Sequence, residues 1–306
     1  MPALTPDLSI IIVTYNSAAV IAPCLSSVAA HRSDLRVETL VVDNASADDT
    51  CEVVRQEFPW AKLITGHGNI GFAAGNNLGL AAAQGRFFLL LNPDTEIRAG
   101  ALQALLTYAD AHPQVGMIAP RLHNMDGSLQ HSTFRFPDYR QAVYGFFEKL
   151  VPIDSVANGR YAPDAYESER PVDHILGAAI FVRRPLWEEI GGMDENYALY
   201  FEETDWCYRA RQAGWELRYI PTATIMHRGA HTTSTAPERS SVLFARSQAR
   251  FYRKNLGMLN YLMLKDIAFV GLTYWLARSS AALLRGRISQ EQFKRRMRSY
   301  GQILLA

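Results

Sequence analysis

The sequence predicts an α/β protein: a doubly wound, Rossmann-like mixed sheet followed by a helical C-terminal extension. Three observations carry that expectation. Short apolar runs rich in β-branched residues alternate with helical stretches through the first hundred residues, the pattern of βαβ units and a parallel sheet. The polar residues able to do chemistry fall where those runs end, and open α/β sheets bind ligands outside the carboxyl ends of their strands. Charge is segregated as well. The 306 residues carry 31 Lys+Arg against 30 Asp+Glu, yet residues 246–306 hold 12 of the basic and 2 of the acidic side chains. A near-neutral total therefore hides an acidic body and a basic, helical tail.

Leu8–Val13 (LSIIIV) is a continuous apolar run, expected as a strand buried on both faces. Thr14-Tyr15-Asn16-Ser17 follows, then an Ala-rich helix in which Pro23 suits the first turn better than the middle. Glu38–Val42 is the second strand and ends in Asp43-Asn44. Ser46-x-x-Asp49 then reads as a capping box opening a helix through Glu57. Ala61–Thr65 is a third short strand, Leu78–Ala83 is helical, and Arg86–Leu91 is a fourth strand ending in Asn92-Pro93-Asp94. Residues 123–175, punctuated by Pro137, Pro152, Pro163 and Pro171, read as a loop-rich insertion. Order returns in a strand-like run at His174–Val182 and helices at Pro185–Ile190 and Asp205–Ala213, the second stopped by Gly214. Strands are expected at Leu217–Ile220 and Thr224–Met226. From Ser240 the pattern is helical, with a capping box and hydrophobic staple at Ser289-x-x-Gln292.

The 48% hydrophobic content suits a sizeable core and excludes a disordered chain. Cys24, Cys51 and Cys207 have no disulfide-framework or CxxC spacing, so reduced thiols in a cytoplasmic setting are expected. No basic region precedes the first apolar run, so no signal peptide is expected. The longest apolar run of the tail, Ile267–Ala277, falls short of the ~20 residues that span a bilayer. That leaves a soluble or membrane-surface protein.

Each chemical motif has a plain structural reading beside the functional one. Gly66-His67-Gly68-Asn69-Ile70-Gly71 matches G-x-G-x-x-G between a strand and a helix, with Asp94 downstream, so a nicotinamide oxidoreductase is one alternative. The fingerprint normally follows the first strand, and here it follows the third, which favours a glycine-rich turn. Asp43 is either an Asx turn or a carboxylate for a base or sugar at the sheet edge, and the two are compatible. Asn92-Pro93-Asp94 is good turn chemistry, yet a carboxylate at the mouth of a buried strand needs a partner or a metal. Glu202-Glu203-Thr204-Asp205 fits a helix N-terminus with Asp205 paired to Arg209. Crowded carboxylates also raise one another's pKa, which suits proton transfer. His227 ends a strand-like run and, with Asp94, offers ligands for Mg2+ or Mn2+.

Taken together, VTYNSA (13–18), VVDNASADDT (41–50), GNIGFAAGNNLG (68–79), LNPDTE (91–96), GAAIFVRR (177–184), GGMDENYALYFEETDWCYRARQAGW (191–215) and HRGAHTT (227–233) resemble glycosyltransferase family 2, most closely its bacterial rhamnosyltransferase-like branch. The resemblance covers residues 8–233 and implies a GT-A fold with inverting transfer from a nucleotide-diphosphate sugar. It implies a catalytic domain over 1–239, with a nucleotide-sugar half to about 122 and an acceptor half over about 123–239, and a basic helical extension over 240–306. It places Thr14, Tyr15, Asn16 and Asp43 around the nucleoside and Gly71 and Asn76 on the diphosphate-sugar side, with Asn44 and Asn92 also among the donor-binding residues. Asp94 would bind a divalent cation, Mg2+ or Mn2+, completed by His227. Glu203 would be the general base, with Asp205 as its rival because many members carry Asp where Glu203 stands. Asn92 replaces the family's usual first Asp, so a non-catalytic nucleotide-sugar-binding module is a second alternative.

The tail matches no family motif. Arg246, Arg250 and Lys254 recur every four residues, and Arg285, Arg287, Lys294, Arg295, Arg296 and Arg298 follow the apolar stretch. They read either as solvated helix faces or as a contact with anionic lipid. A glycan or polyprenyl-diphosphate-linked acceptor, reached from the cytoplasmic face of the membrane, is what the resemblance implies. No nucleic-acid partner is expected, because no recognition motif accompanies the charge.

Overall fold

The computed structural model describes residues 5–32, 35–147, 158–229 and 237–306. Pro152 and the segment from Ala230 to Thr233, which figure in the expectations above, lie outside the described residues. The chain forms two compact units: one of residues 1–135, 161–196 and 202–229, the other of 136–160, 197–201 and 230–306. The second unit thus draws in two segments besides the tail.

The first unit begins with β1 (Leu8–Thr14), α1 (Ala18–His31), β2 (Val37–Asp43), α2 (Thr50–Glu57), β3 (Lys62–Ile64), α3 (Gly71–Ala82) and β4 (Phe87–Leu91). It continues with β5 (Thr95–Ile97), α4 (Ala101–Ala111), β6 (Val115–His123), β7 (Leu129–Gln130) and β8 (Thr133–Phe134). In the second unit, α5 spans Tyr139–Phe147. The first unit resumes with β9 (Arg170–Pro171), β10 (His174–Ile175), β11 (Ala179–Arg183), α6 (Arg184–Ile190), α7 (Glu202–Gln212) and β12 (Glu216–His227). Among the described residues the main sheet has the order β3-β2-β1-β4-β11-β6-β12-β5, with β7 on β6 and β9 on β12. Strands β3, β2, β1 and β4 are parallel. Strand β11 runs antiparallel to β4 and to β6, and β12 is parallel to β6. The sheet is mixed, as expected.

Alternation along β1 makes it doubly wound. Ile10 and Ile12 join a cluster with Ile21, Cys24, Leu25 and Val28 of α1, while Ile11 and Val13 face Gly79 and Gly75 of α3 on the opposite side. That contact explains why α3 is longer than expected. Gly71, Gly75, Asn76 and Asn77 depress helix propensity, but their small or hydrogen-bonding side chains let α3 lie close to β1. Packing overrides propensity here.

Other expectations shift for local reasons. Pro23 lies inside α1, in its second turn, so its missing N–H forfeits only the bond to the Ala19 carbonyl. The Ser46 capping box does not form: Asp49 is the N-cap of α2 without a side-chain bond, and Ser46 Oγ donates to Asp43 Oδ1 at 2.5 Å instead. The His174–Val182 run is two strands, because β10 pairs with β8 while β11 pairs with β4 and β6. Conversely, the two expected strands after Trp215 are one, β12, whose register against β6 breaks between Ile220 and Thr224. Strand β5, helix α4 and strand β6 were not expected from the pattern. Within 123–175, β7, β8, β9, β10 and α5 give the described part more order than a loop-rich insertion would have.

The second unit also contains α8 (Pro237–Phe251), a π-type turn (Tyr252–Leu256), α9 (Met258–Leu284) and α10 (Gln290–Leu305). Ser289 caps α10 with the expected reciprocal box to Gln292. Tyr252 donates to the Asp138 carbonyl at 2.6 Å and Trp275 Nε1 to the Phe146 carbonyl at 2.9 Å, tying the turn and α9 to the α5 region. Phe201 packs against Phe244 and Phe251. A cavity of about 770 Å³ opens among these helices, lined by Phe146, Phe201, Leu272, Trp275, Ile303 and Arg296 among others. Helix α9 corrects the reading of Ile267–Ala277. It is a 27-residue helix, long and apolar enough by length and composition to cross a bilayer.

A Cβ at Gly79 would stand 2.4 Å from Ile11 Cγ2. Ala at this position gains up to about 1 kcal/mol of helix propensity but incurs about 1–3 kcal/mol of overpacking, and the second effect wins. Gly79→Ala is expected to lower the urea midpoint, and its cost should be smaller in an Ile11→Ala background, where the Cγ2 that it strikes is gone. A Gly79→Ala protein more stable than the parent would refute this packing.

Candidate active site

The carboxyl ends of β1 and β2 form one hydrogen-bonded mouth. Thr14, fully buried, donates from Oγ1 to Asp43 Oδ1 at 3.0 Å. Asp43 also accepts from Ser46 Oγ and, at Oδ2, from the Ser46 N–H at 2.9 Å. Ser46 Oγ in turn accepts the Asn16 N–H at 2.8 Å, and Asn16 Oδ1 accepts the Ala47 N–H at 2.8 Å. Burial pushes the Asp43 carboxyl up, but the bonds from Ser46, Cys51 and Thr14 outweigh it and hold the group below its ordinary value. Asp43 is thus an ionised organiser of the mouth. Asn16 and Ala45 adopt left-handed backbone, φ 50° and 60°, a strain that such networks sustain at functional sites. Tyr15 is the exposed side chain here.

Asn44 donates to the Gly71 carbonyl at 2.9 Å and so ties the mouth to the start of α3, while its buried Oδ1 makes no hydrogen bond. Gly66, Gly68 and Gly71 all have positive φ. Their loop follows β3, the edge strand, rather than the central β1 from which a dinucleotide fold binds phosphate. It is the glycine-rich turn that its position suggests. Asn76 is buried and donates to the Phe72 carbonyl at 3.0 Å, turned into its own helix. Its neighbour Asn77, which the sequence did not single out, makes the longer-range contact: Oδ1 accepts the Met193 N–H and Nδ2 donates to Glu195.

At the end of β4 the chain reverses. The Asn92 N–H bonds the Ala178 carbonyl at 2.9 Å, and Thr95 Oγ1 closes the turn on the Asn92 carbonyl at 2.7 Å. Strand β5 then pairs antiparallel with β12, setting Thr95 against His227. That register delivers Asp94 to His227, with Oδ1 and Nε2 3.4 Å apart. The Gly229 N–H donates to Asp94 Oδ2 at 3.2 Å. Burial raises the Asp94 pKa, and His227 with the Gly229 N–H more than offsets this, so the carboxylate is held below its ordinary value. His227 Nδ1 meets Gln130 Oε1 at 2.6 Å. An amide oxygen only accepts, so Nδ1 donates to it, and Nε2 is the nitrogen that faces Asp94. Gln130 lies 97 residues away in sequence, and no local signal pointed to it.

Asp94 and His227 form an oxygen–nitrogen pair that fits Mg2+ or Mn2+. Among the described residues no group of three or more His, Cys, Asp or Glu comes together to complete a cage. A two-residue site suits an ion that takes its remaining ligands from a substrate's phosphates.

The acidic run opens α7, and its members have different fates. Asp205 is fully buried and paired with Arg209 Nε at 2.8 Å. Arg209 also donates to the Ile190 and Gly192 carbonyls, each at 2.6 Å, so Asp205 anchors the loop between α6 and α7. Glu202 and Glu203 each keep a sealed Oε2 with no hydrogen bond. Burial and the Glu203 charge raise Glu202 well above its ordinary value, and burial raises Glu203 to about 7. Gly177, next to the residue that bonds Asn92, presents no Cβ to the Phe72 ring or to Glu203 Cγ. Beside them, burial holds His174 down to about 4, so it stays neutral. The residues preceding α7, Tyr200 and Phe201, have φ of 65° and 68°. Two successive non-glycine residues in that region fix the direction in which Glu202 and Glu203 leave the chain.

Comparison with known proteins places this arrangement. The signature of "Glycosyl transferase family 2" matches residues 9–161. N-acetylglucosaminyl-diphospho-decaprenol L-rhamnosyltransferase of Mycobacterium tuberculosis is 30% identical over 250 residues, covering 76% of this chain and 80% of that protein. A low-salt glycan biosynthesis hexosyltransferase of Haloferax volcanii is 27% identical over 230 residues, covering 72% and 67%. Among solved structures, a mannosyltransferase of Pyrobaculum calidifontis in complex with GDP-Man and Mn2+ superposes with a TM-score of 0.59 at 18% identity, covering 99% of this chain and 86% of that one. The fold is GT-A, and the chain belongs to glycosyl transferase family 2.

Proposed function

We propose that this protein is an inverting glycosyltransferase that moves a hexose, rhamnose from dTDP-rhamnose as the first candidate, from a nucleotide-diphosphate donor to a lipid-linked glycan acceptor. The observation that carries the reading is the contrast between two carboxylates. Asp94 is held ionised beside His227 at the end of β4, whereas Glu203 keeps an unbonded oxygen and a pKa lifted toward neutrality. The first suits a charged diphosphate–cation complex and the second suits a proton acceptor. Rhamnose and a prenyl-diphosphate acceptor are suggested by the name of the mycobacterial relative. The acceptor class also suits synthesis of a cell-surface glycan from the cytoplasmic side of the membrane.

In this reading the Thr14–Asp43–Ser46 network and Tyr15 hold the nucleoside, while Asn44 and Gly71 shape the diphosphate side with Asn92. Asp94 and His227 would hold the divalent ion, which when bound supplies positive charge to the diphosphate. Glu203 takes the proton of the acceptor hydroxyl as its oxygen bonds to the sugar's C1, and the bond from C1 to the donor's diphosphate breaks on the opposite face. One displacement inverts the anomeric centre and requires no second carboxylate as nucleophile. The pairing of Asp205 with Arg209 speaks against Asp205 as the base and supports Glu203.

Glu203→Gln is expected to cut kcat by about 10²–10⁴-fold while leaving donor affinity within a few-fold. Asp205→Asn should instead lower stability by several kcal/mol, because it strands Arg209 in a half-buried site. Loss of kcat in a stably folded Asp205→Asn with normal turnover in Glu203→Gln would reverse the assignment.

The pH dependence has a definite sign. A carboxyl raised in the folded state binds more protons there than when unfolded. Stability contributed by Glu203 is therefore present below its ordinary value of 4.5 and is lost as pH rises toward about 7. The acid limb of kcat/KM is expected near that pH, and Glu203→Gln should raise Tm at pH 8 while leaving it unchanged at pH 4.5. A Tm difference that does not change with pH would disprove the raised pKa. Asp94→Ala and His227→Ala should each abolish the thermal shift given by dTDP-rhamnose with Mn2+. Stabilisation by NAD(H) alone would favour the oxidoreductase reading.

A further inference from the structure

Helix α9 is apolar nearly all round, and the two sides have different surroundings. Leu264, Ala268, Gly271, Leu272 and Ser279 are buried. On the other side Leu259 (73% exposed), Leu262, Met263, Phe269 (59%), Val270 (58%) and Leu276 face solvent. Spacings of three, four and seven put these on one face, about 25 Å from Leu259 to Leu276 at 1.5 Å per residue. A helix hydrophobic all round is normally enclosed by protein or by lipid, and here one side lacks an enclosure. The exposed Thr273 turns its hydroxyl onto the Phe269 carbonyl at 2.8 Å, so it adds little polarity. Asp266 is the one acid on the helix.

The charge of the same unit bears on what could cover this face. Arg285, Arg287, Lys294, Arg295, Arg296 and Arg298 are exposed on the connection and on α10, and among the described residues none of them pairs with a carboxylate. Apolar face and unpaired cations together suit an anionic bilayer surface. Helix α10 lies against α9, through Lys265 Nζ on the Leu304 carbonyl and Ser279 Oγ with the Tyr300 hydroxyl at 3.2 Å. A spanning α9 would carry the cations of α10 into hydrocarbon, where they are costly. Both observations favour a helix lying in the interface. The cavity of the same unit, apolar within and bordered by Arg296, also suits a lipid chain with its phosphate outside.

We infer that the second unit docks on anionic membranes with the Leu259–Leu276 face of α9 buried among headgroups and acyl-chain ends, and with the basic residues of α10 on lipid phosphates. The inference rests on the proposed lipid-linked acceptor for its purpose alone. Its test uses vesicles that contain no acceptor, so it fails or stands separately from the catalytic reading.

Co-sedimentation of the full chain with phosphatidylcholine vesicles, with and without phosphatidylglycerol, is the experiment. Binding is expected only with phosphatidylglycerol and should weaken in high salt without vanishing. The quadruple variant Lys294→Gln, Arg295→Gln, Arg296→Gln, Arg298→Gln should lose more than about tenfold in affinity. Phe269→Ser with Val270→Ser should make the residual binding fully salt-sensitive, with Glu203-dependent turnover on a soluble acceptor analogue reporting that the fold is intact. Asp266→Asn should bind more tightly, since it removes the one acidic charge of α9. Three results would overturn the inference: equal binding to neutral vesicles or none; a dimer in solution that Phe269→Ser with Val270→Ser dissolves, which gives the face to a second copy; and resistance of the bound protein to alkaline carbonate extraction, which indicates a span.

Discussion

The reversal of chain at Asn92-Pro93-Asp94 is the constraint on which the site depends. The Asn92 N–H makes the last bond of β4 to its antiparallel partner region, at the Ala178 carbonyl, and Pro93 has no N–H with which to extend the ladder. The chain must turn, and Thr95 closes the turn with its hydroxyl. From there the β5–β12 register leaves no freedom: Thr95 opposes His227, so Asp94 meets the imidazole. A slip of one residue would send every side chain of β5 to the other face of the sheet and separate the pair. Ala178 follows Gly177, where an added Cβ would lie 3.9 Å from Glu203 Cγ, so this segment runs from the turn to the proposed base.

Buried carboxylates in this protein divide according to whether they are satisfied. Asp43 and Asp205 are surrounded by donors, and their charge organises loops: Asp43 the mouth of β1 and β2, Asp205 the connection into α7 through Arg209. Glu202 and Glu203 each retain an oxygen without a donor. Leaving a buried polar group unsatisfied costs about 1–3 kcal/mol, and two adjacent acids add repulsion. A chain selected only for stability would have replaced one of them with an amide or an apolar residue. The left-handed Tyr200 and Phe201 add strain at the same place. Concentrated local cost at one helix start, beside a sheet edge where ligands bind, is the physical mark of a working group.

The sheet was legible because β1, β2 and β4 are so apolar that only burial on both faces accommodates them. The strand ends were legible for the converse reason: Asp43 and Asp94 are polar groups at the mouths of such strands. Partners far away in sequence were not legible. Gln130 orients the ring of His227, and Asn77 holds the Met193 loop, yet nothing local marks either for its distant partner. Asn76 and Asn77 are adjacent, and only the rotation of α3 decides that Asn76 turns inward while Asn77 reaches out. The family resemblance named the first, on motif position alone. Glu203 and Asp205 posed the same problem two residues apart on α7, and of the two it is Asp205 that pairs with Arg209, one helical turn on.

Helix α9 shows where counting apolar residues falls short. The run Ile267–Ala277 is bounded by Lys265-Asp266 and Arg278, so its length in sequence is that of a buried helix rather than a bilayer span. The folded helix extends well past both bounds, because a lysine whose ammonium reaches the Leu304 carbonyl does not interrupt an apolar helix. Lys265 is thus absorbed by packing against α10, while Arg278 turns to Tyr274 of its own helix. What remains outside is a face that only Asp266 interrupts. The acidic body and the basic tail of a nearly neutral chain are then two solutions to one problem. The body assembles carboxylates that must be individually satisfied or individually reactive, while the tail keeps most of its cations in solvent around an apolar helix, where an anionic surface can satisfy both.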